Sequence, residues 1–238
     1  MLVAAAVVPT PPLLIPEIAA GSAARDDDLR AAALAAVEAM LATGPDRVVV
    51  VGEAPATGHL TGEPDWRPFG VPLPRPRPVS RLPLAHGIGA WLLGQRGCTV
   101  PIEHLGVAPD TSPLECAALG RRLSGEPART ALLACGDGSA RRNDKAPGHF
   151  SPAAAGVDAT VDAALAAGDV TPLLELGVED ARELWIGGRT AWQVLAGAAG
   201  SDRWNAEVSW SGAPHGVHYV VATWLRRPAV IGDPQSAR

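Results

Sequence analysis

Cysteine is scarce in this chain, and the three cysteines present are far apart in the sequence. Cys98, Cys116 and Cys135 form no Cys-x-x-Cys pair, and an odd number cannot all be paired within one chain. The sequence therefore predicts neither a cysteine metal motif nor a disulfide framework. A reducing compartment is the natural environment for such a chain.

Positive charge is also in short supply. The chain has a single lysine, Lys145, and its 20 Lys and Arg residues are outnumbered by 25 Asp and Glu, which gives a formal net charge of -5. The basic residues are scattered and form no stripe. We therefore expect no nucleic-acid partner.

Long hydrophobic runs are missing as well. No apolar run approaches the roughly 20 residues that a membrane-spanning helix needs. The apolar start, Met1 to Val8, has no basic residue before it, and it is soon interrupted by prolines at positions 9, 11, 12 and 16. This is not the pattern of a signal peptide. The sequence predicts a cytoplasmic protein with no membrane partner.

The residues that are abundant favour one compact α/β domain over positions 1–238. Hydrophobic residues make up 47% of the chain and charged residues 19%, which is enough apolar material for one large core. Leu2–Val8, Arg47–Gly52 and Arg129–Cys135 are short continuous apolar runs, typical of strands buried on both faces. A further strand is predicted over Thr99–Gly106. The predicted helices are Ser22 to Thr43, Leu84–Gln95, one that begins at Ser112, one that begins at Ser151, and short ones within Thr171–Ala199.

The end of the chain predicts a β-hairpin. Trp204–Trp210 and Val217–Trp224 have strand patterns and are separated by a glycine-containing turn. Together with the alternating strands and helices, this predicts a central mixed, largely parallel sheet flanked by helices, with a C-terminal hairpin. The segment Glu53 to Val79 is rich in proline, which rules out a regular helix and predicts a long loop segment, parts of which could form edge strands.

Three segments carry a resemblance to a known family. They are Val7–Glu17 (VVPTPPLLIPE), Ala134–Arg142 (ACGDGSARR) and Ala213–Trp224 (APHGVHYVVATW). In order and spacing they resemble the class III extradiol ring-cleavage dioxygenase superfamily, of the LigB type that includes its catalytic subunits, and within it an actinobacterial subgroup. The resemblance implies that the whole chain is one such domain, and it allows a homodimer.

The resemblance also implies where a metal site would lie. The family holds Fe(II) with two His and one carboxylate, and a further His acts as acid and base. The expected imidazoles fall at Thr10, within Glu53-Ala54-Pro55, and at Ala140. Threonine and alanine supply no imidazole lone pair or proton. The resemblance therefore implies a degenerate site without bound metal and without ring cleavage.

Two further interpretations remain open at this point. His59, His149 and His215, with His218 nearby, could assemble a relocated Fe(II) or Zn site with Glu53 or Asp137, although their spacing matches no known motif. The second open interpretation is that the protein is a metal-free hydrolase or transferase. The alternative to a ligand cluster is that these are ordinary loop or core histidines.

A ligand crevice is predicted from the strand ends alone. In α/β sheets, ligands bind outside the carboxyl ends of the strands. Thr10, Glu53, Asp137 and Ser139 follow such ends, and the candidate crevice also takes in Arg141 of the same loop and His215 of the last turn. Gly136–Ser139 could also form a backbone nest for an anion, with Arg141 and Arg142 adding charge; an ordinary glycine turn is the competing interpretation. The expected partner is a small molecule, or else a protein.

Tryptophan is the main aromatic residue, with seven copies against two Phe and one Tyr. Five of the seven lie in the final third, at positions 185, 192, 204, 210 and 224. We expect them to pack in the core, and an aromatic-lined pocket for a ring-shaped ligand is the alternative.

Overall fold

The computed structural model of the chain describes residues 1–19, 27–72 and 80–227. Its strands are β1 (Leu2–Val8), β2 (Arg47–Glu53), β3 (Gly58–Leu60), β4 (Ile102–Val107), β5 (Thr130–Cys135), β6 (Trp204–Gly212) and β7 (Tyr219–Arg226). Its helices are α1 (Pro16–Ala19), α2 (Asp27–Leu41), α3 (Leu84–Gln95), α4 (Pro113–Gly125), α5 (Ala154–Ala167), α6 (Thr171–Glu175), α7 (Val178–Leu184) and α8 (Arg189–Ala199). None of the helices in these ranges is long and apolar enough to cross a membrane.

The described strands form one seven-stranded sheet in the order β3-β4-β2-β5-β1-β7-β6. The four central strands β4, β2, β5 and β1 run parallel, whereas β3 pairs antiparallel with β4 at one edge. At the other edge, β7 pairs antiparallel with β1, and β6 with β7. The predicted fold is confirmed, including the largely parallel centre and the terminal hairpin.

Both faces of the central strands are covered, which explains their continuous apolar runs. On one face, Val48 and Val50 pack in a cluster with residues of α2 and α3. On the opposite face, Val49 and Val51 pack in a second cluster with residues of α4, α5 and α8. Alternation within β2 thus divides one run of valines between two cores.

Helices α4 and α8 touch through their backbones at two glycines. A Cβ built on Gly120 would lie 2.0 Å from the carbonyl oxygen of Val194, and one built on Gly197 would lie 2.2 Å from that of Ala117. No side chain larger than hydrogen fits at either position unless the helices move apart.

The three predicted helix caps have different outcomes. At Ser112 the capping box is confirmed, since its Oγ accepts from the Glu115 amide at 3.3 Å and its own amide donates to the Glu115 carboxylate at 3.1 Å. The cap at Ser151 is wrong. Helix α5 begins at Ala154 without a side-chain cap, because Ser151 belongs to the preceding loop, where its amide donates to the Arg141 carbonyl. The predicted cap Ser22 lies outside the described residues.

The proline-rich segment contributes an edge strand, as its composition allows. β3 spans Gly58–Leu60, and a short 3-10 turn follows at Arg67–Phe69. Asp65 binds Arg67 at 2.7 Å and Arg81 at 3.2 Å, and the hydrogen bonds from Arg67 hold the pKa of Asp65 well below its usual range. Positions 73–79 of the segment lie outside the described residues.

Two glycines, one within α5 and one directly after it, provide a test of the helix assignment. We expect Gly156→Ala to raise the free energy of unfolding by about 0.5 to 1 kcal/mol, because Gly156 is exposed within the helix and a Cβ there meets nothing within 4 Å. Gly168→Ala should instead lower it by about 1 kcal/mol, because Gly168 ends the helix at φ +68. Urea unfolding of both variants checks the pair, and equal effects would contradict the assigned helix end.

Candidate functional site

A cavity of about 320 Å³ lies at the carboxyl edge of the central strands. Thr10 follows β1, Glu53 ends β2 and Asp137 follows β5, and all three line this cavity. They meet there because β2, β5 and β1 are adjacent and parallel, so that their carboxyl ends share one edge. We call this cavity the crevice.

Hydrogen bonds fix the base of the crevice. The amide of Thr10 donates to Oδ1 of Asp137 at 2.6 Å, and the amide of Gly136 donates to the carbonyl of Val8 at 3.0 Å. These bonds tie the end of β1 to the loop after β5. The side chain of Asp137 is therefore held in a defined position at the cavity wall.

The pKa values of both carboxyl groups in the crevice are raised. Burial raises the pKa of Asp137 to about 6, although the hydrogen bonds from Thr10 and the charge of His218 oppose the rise. Burial also raises the pKa of Glu53, and the nearby Arg189 guanidinium opposes it. Carboxyl groups with raised pKa values are suited to accept, donate or exchange protons near neutral pH.

Ser139, predicted to line the crevice, lies elsewhere. Its side chain is fully buried, with Oγ donating to Oδ2 of Asp158 at 2.6 Å and its amide donating to Oδ1 at 2.9 Å. Arg141 is not among the described residues lining the crevice either, and its guanidinium donates to the Glu183 carbonyl at 2.9 Å. The same lining does not include His215, which precedes β7 in the hairpin turn.

Of the two interpretations of Gly136–Ser139, the ordinary glycine turn fits the structure and the anion nest does not, because most amides of the loop are already engaged. Besides the bonds of Gly136 and Ser139, the amide of Gly138 donates to the His218 carbonyl at 2.8 Å and that of Ala140 to the Leu184 carbonyl at 3.0 Å. Arg142 pairs with Asp158 at 3.0 Å. The loop uses its donors to bind the protein itself, which leaves no ring of free amides for an anion.

His59 and His215 of the hypothetical relocated metal site lie far from each other along the sheet. His59 is exposed on β3 and His149 is exposed in the loop after β5, whereas His215 lies in the hairpin turn with its ring 6.4 Å from that of Tyr219. Five strand spacings separate β3 from β7, which corresponds to roughly 24 Å. Within the described ranges, no three His, Cys, Asp or Glu side chains are grouped as metal ligands would be.

His218 organises a buried polar network that sequence reasoning missed. Its Nε2 lies 3.2 Å from Oδ2 of Asp162 and 3.2 Å from Oγ of Ser211, and its Nδ1 lies 3.6 Å from Oδ1 of Asp158. The network connects β6, β7 and α5 to the loop that carries Asp137. Nothing in the spacing of these residues signals it, because they meet only when the hairpin packs against α5.

A second cavity of about 400 Å³ adjoins the crevice, and the two share Glu53, Trp185 and Gly187. Sequence reasoning placed Trp185 in the core, which is wrong, since 56% of its surface is exposed. The expectation is confirmed for Trp192, Trp204 and Trp224, which are buried. Trp185 differs from these three tryptophans in its backbone conformation. It follows α7 and has φ 57, in the left-handed region.

A pair of histidines, one on α3 and one on β4, had no motif context in the sequence. His86 is fully buried, and its ring centroid is 5.5 Å from that of His104 on β4. Nε2 of His86 lies 3.3 Å from the carbonyl of Gly52. Burial lowers the pKa of His86 to about 4, and it lowers that of His104. Buried imidazoles of this kind stay neutral near pH 7.

Cys135 is a core residue, as the sequence indicated. It is fully buried at the end of β5, and burial raises the pKa of its thiol, which opposes formation of a reactive thiolate.

Comparison with known proteins gives a fold and no family. No family model matches the chain, and no curated protein matches it. Among solved structures, the crystal structure of an uncharacterized protein from Escherichia coli K12 is similar, with a TM-score of 0.54. The two chains are 13% identical over 94% of this chain and 99% of the other. At that identity, the likeness supports the fold alone.

Proposed function

We propose that this protein is a class III extradiol dioxygenase-like protein that has lost Fe(II)-dependent ring cleavage and retains the crevice as a small-molecule binding site. One observation carries the proposal. Thr10, Glu53 and Ala140, which stand at or within the places where the resemblance expects imidazoles, line a single cavity together with Asp137. The parallel strands bring Thr10 and Glu53 to one edge, and the loop after β5 adds Ala140 to the same wall, so the positions expected from the resemblance share one cavity.

The side chains of the crevice do not fit Fe(II) as that family binds it. A site of two imidazoles and one carboxylate needs neutral nitrogen donors. The described lining offers the carboxyl groups of Glu53 and Asp137, the hydroxyl of Thr10 and the methyl group of Ala140, and it includes no histidine. The nitrogen donors and the acid–base imidazole are both missing from this donor set.

The same groups suit a small polar ligand. A volume of about 320 Å³ lies at the lower end of the range for small-molecule sites, about 300 to 1,000 Å³. Glu53 and Asp137 accept hydrogen bonds when ionised and can also donate when protonated. Phenolic hydroxyl groups on a ring the size of catechol would match these acceptors, with the indole of Trp185 at the wall.

Oxygen uptake tests the loss of ring cleavage. We expect the purified protein, loaded with Fe(II) under argon and then mixed with catechol in aerated buffer, to consume oxygen no faster than Fe(II) and catechol alone. The described lining of the crevice lacks the imidazoles that would hold the iron and move the proton. A turnover that depends on the protein, recorded with an oxygen electrode, would overturn the proposal.

Binding of catechol tests the retained crevice. We expect saturable binding by calorimetry, and Asp137→Asn should weaken it by about tenfold, because a hydrogen bond to a charged group contributes about 1.5 to 3 kcal/mol. Asp144→Asn is the matched control, since Asp144 is exposed on the same loop and does not line the crevice. Equal affinities for the two variants would remove Asp137 from the site.

A further inference from the structure

Trp185 has the features of a stacking platform. It lines both the crevice and the second cavity, and more than half of its surface is exposed. Its left-handed backbone conformation, at φ 57 and ψ 47, is one that helix ends usually give to glycine. The neighbouring amides hold it there, with Ile186 donating to Ala181 and Gly188 to Asp137, both at 2.8 Å. The helix end accounts for this conformation, and it leaves the indole exposed at the wall of both cavities, where a planar ring could stack on it.

Glu53 lies where the two cavities meet, and arginines offset part of the negative charge around it, to which Asp110 and Glu179 of the second cavity also contribute. Arg189 is buried beside it and donates to Gln193 Oε1 at 2.7 Å and to the carbonyls of Pro109 and Thr111 at 2.6 and 2.9 Å. At the mouth of the second cavity, Arg182 pairs with Glu179 at 3.2 Å. Because the Arg189 guanidinium lies beside Glu53, neutral N–H groups would satisfy the Glu53 oxygens without placing a second positive charge next to it.

Thr190 supplies an unmatched polar atom in the second cavity. Only 2% of its surface is exposed, it lines that cavity, and no described residue gives its buried Oγ1 a hydrogen-bond partner. A buried hydroxyl without a partner is unfavourable, and a ligand oxygen or ring nitrogen would satisfy it. Thr190 is therefore a group in the second cavity that could donate to an acceptor on a ligand.

We propose that the crevice and the second cavity form one two-part site for a planar nitrogen heterocycle that stacks on Trp185, directs neutral N–H donors at Glu53 and presents an acceptor to Thr190. The inference rests on the proposed function, since it names the ligand class of the same crevice. The edge of guanine that carries N1–H and the 2-amino group presents two parallel donors to a carboxylate, and its opposite edge carries acceptors.

Guanosine and inosine form a matched pair of probes, because they differ by the 2-amino group alone. We expect calorimetry to give at least tenfold tighter binding of guanosine than of inosine to the wild-type protein. Glu53→Gln should weaken the binding of guanosine about tenfold and bring the affinities of the two nucleosides close together. Trp185→Ala should weaken both nucleosides by similar factors, since stacking does not depend on the 2-amino group. Thr190→Val should also weaken the binding of both nucleosides without changing the ratio of their affinities.

Glu207→Gln is the control for Glu53→Gln, since Glu207 is exposed on the edge strand β6. It should bind both nucleosides as the wild type does. Circular dichroism checks that each variant is folded. Equal binding of the two nucleosides by the wild type, or a preference that survives Glu53→Gln, would overturn the inference. Tighter binding of phenethylamine than of guanosine would also overturn it, in favour of a cationic ligand.

The two proposals fail separately. Catechol that binds without oxygen uptake, together with no preference for guanosine, would defeat the ligand class and leave the proposed function standing. Protein-dependent oxygen uptake would defeat the proposed function whatever the nucleosides do.

Discussion

Gly120→Ala is expected to lower the free energy of unfolding by about 3 kcal/mol, the upper part of the usual range for overpacking. The added Cβ would lie 2.0 Å from the Val194 carbonyl oxygen and 2.5 Å from the Ala198 amide nitrogen. Both atoms belong to the backbone of α8 and cannot rotate away as a side chain would. Helices α4 and α8 would have to separate, and the buried Trp192 on α8 would lose packing.

Gly125→Ala is the matched control for that prediction. Gly125 is the last residue of the same helix, and a Cβ there meets nothing within 4 Å. We expect its free energy of unfolding to stay within about 1 kcal/mol of the wild type. Guanidinium unfolding followed by tryptophan fluorescence measures both variants. Similar stabilities for the two would mean that α4 and α8 do not touch at Gly120.

The second large effect is on the pH dependence of the free energy of unfolding. We expect His86→Gln to remove about 2 to 3 kcal/mol of the pH dependence of unfolding between pH 7 and 4.5. Burial lowers the pKa of His86 from its ordinary value near 6.5 to about 4, and each pKa unit corresponds to about 1.4 kcal/mol. Between those two pKa values the unfolded chain binds a proton at this position and the folded chain does not. Stability from the neutral imidazole is therefore fully present above pH 6.5 and is lost as the pH falls towards 4.

The comparison between wild type and variant isolates this contribution from others in the same pH range. The raised pKa of Asp137 acts with the opposite sign, because a folded state that holds its proton more tightly gains stability as the pH falls through 6. That contribution is common to both proteins and cancels in the difference. His59→Gln is the control, since His59 is exposed on β3 and meets water in both states. If the wild type and His86→Gln lost stability in parallel on acidification, His86 would not be the source.

Local patterns were sufficient to predict the parallel core of the sheet. Strands β1 and β5 match their predicted ranges within one residue, because an apolar run buried on both faces has few alternatives. Local patterns could not predict the strand order, because it depends on which strands meet. Placing β1 between β5 and β7 requires contacts that no window of sequence contains.

The candidate site could likewise be predicted only in part. Thr10, Glu53 and Asp137 were predictable because each lies at the end of a clearly patterned strand, and a parallel sheet brings such positions together. Ser139 belongs to the same loop as Asp137, but the carboxylate of Asp158 on α5 binds its hydroxyl and amide. Trp185 and Arg189 come from the helices after the loop, and the sequence carries no signal that these helices cover the strand ends.

The position of β1 has a consequence for how the protein is made. This strand leaves the ribosome before the other strands of the sheet, yet its two neighbours begin at Thr130 and Tyr219. Contacts this distant in sequence slow folding, because a long loop must close before they form. Until β5 emerges, the amide of Thr10 has no Asp137 to bind, and until β7 emerges β1 remains an open edge. We therefore expect ligand binding to be among the last properties that a nascent chain acquires.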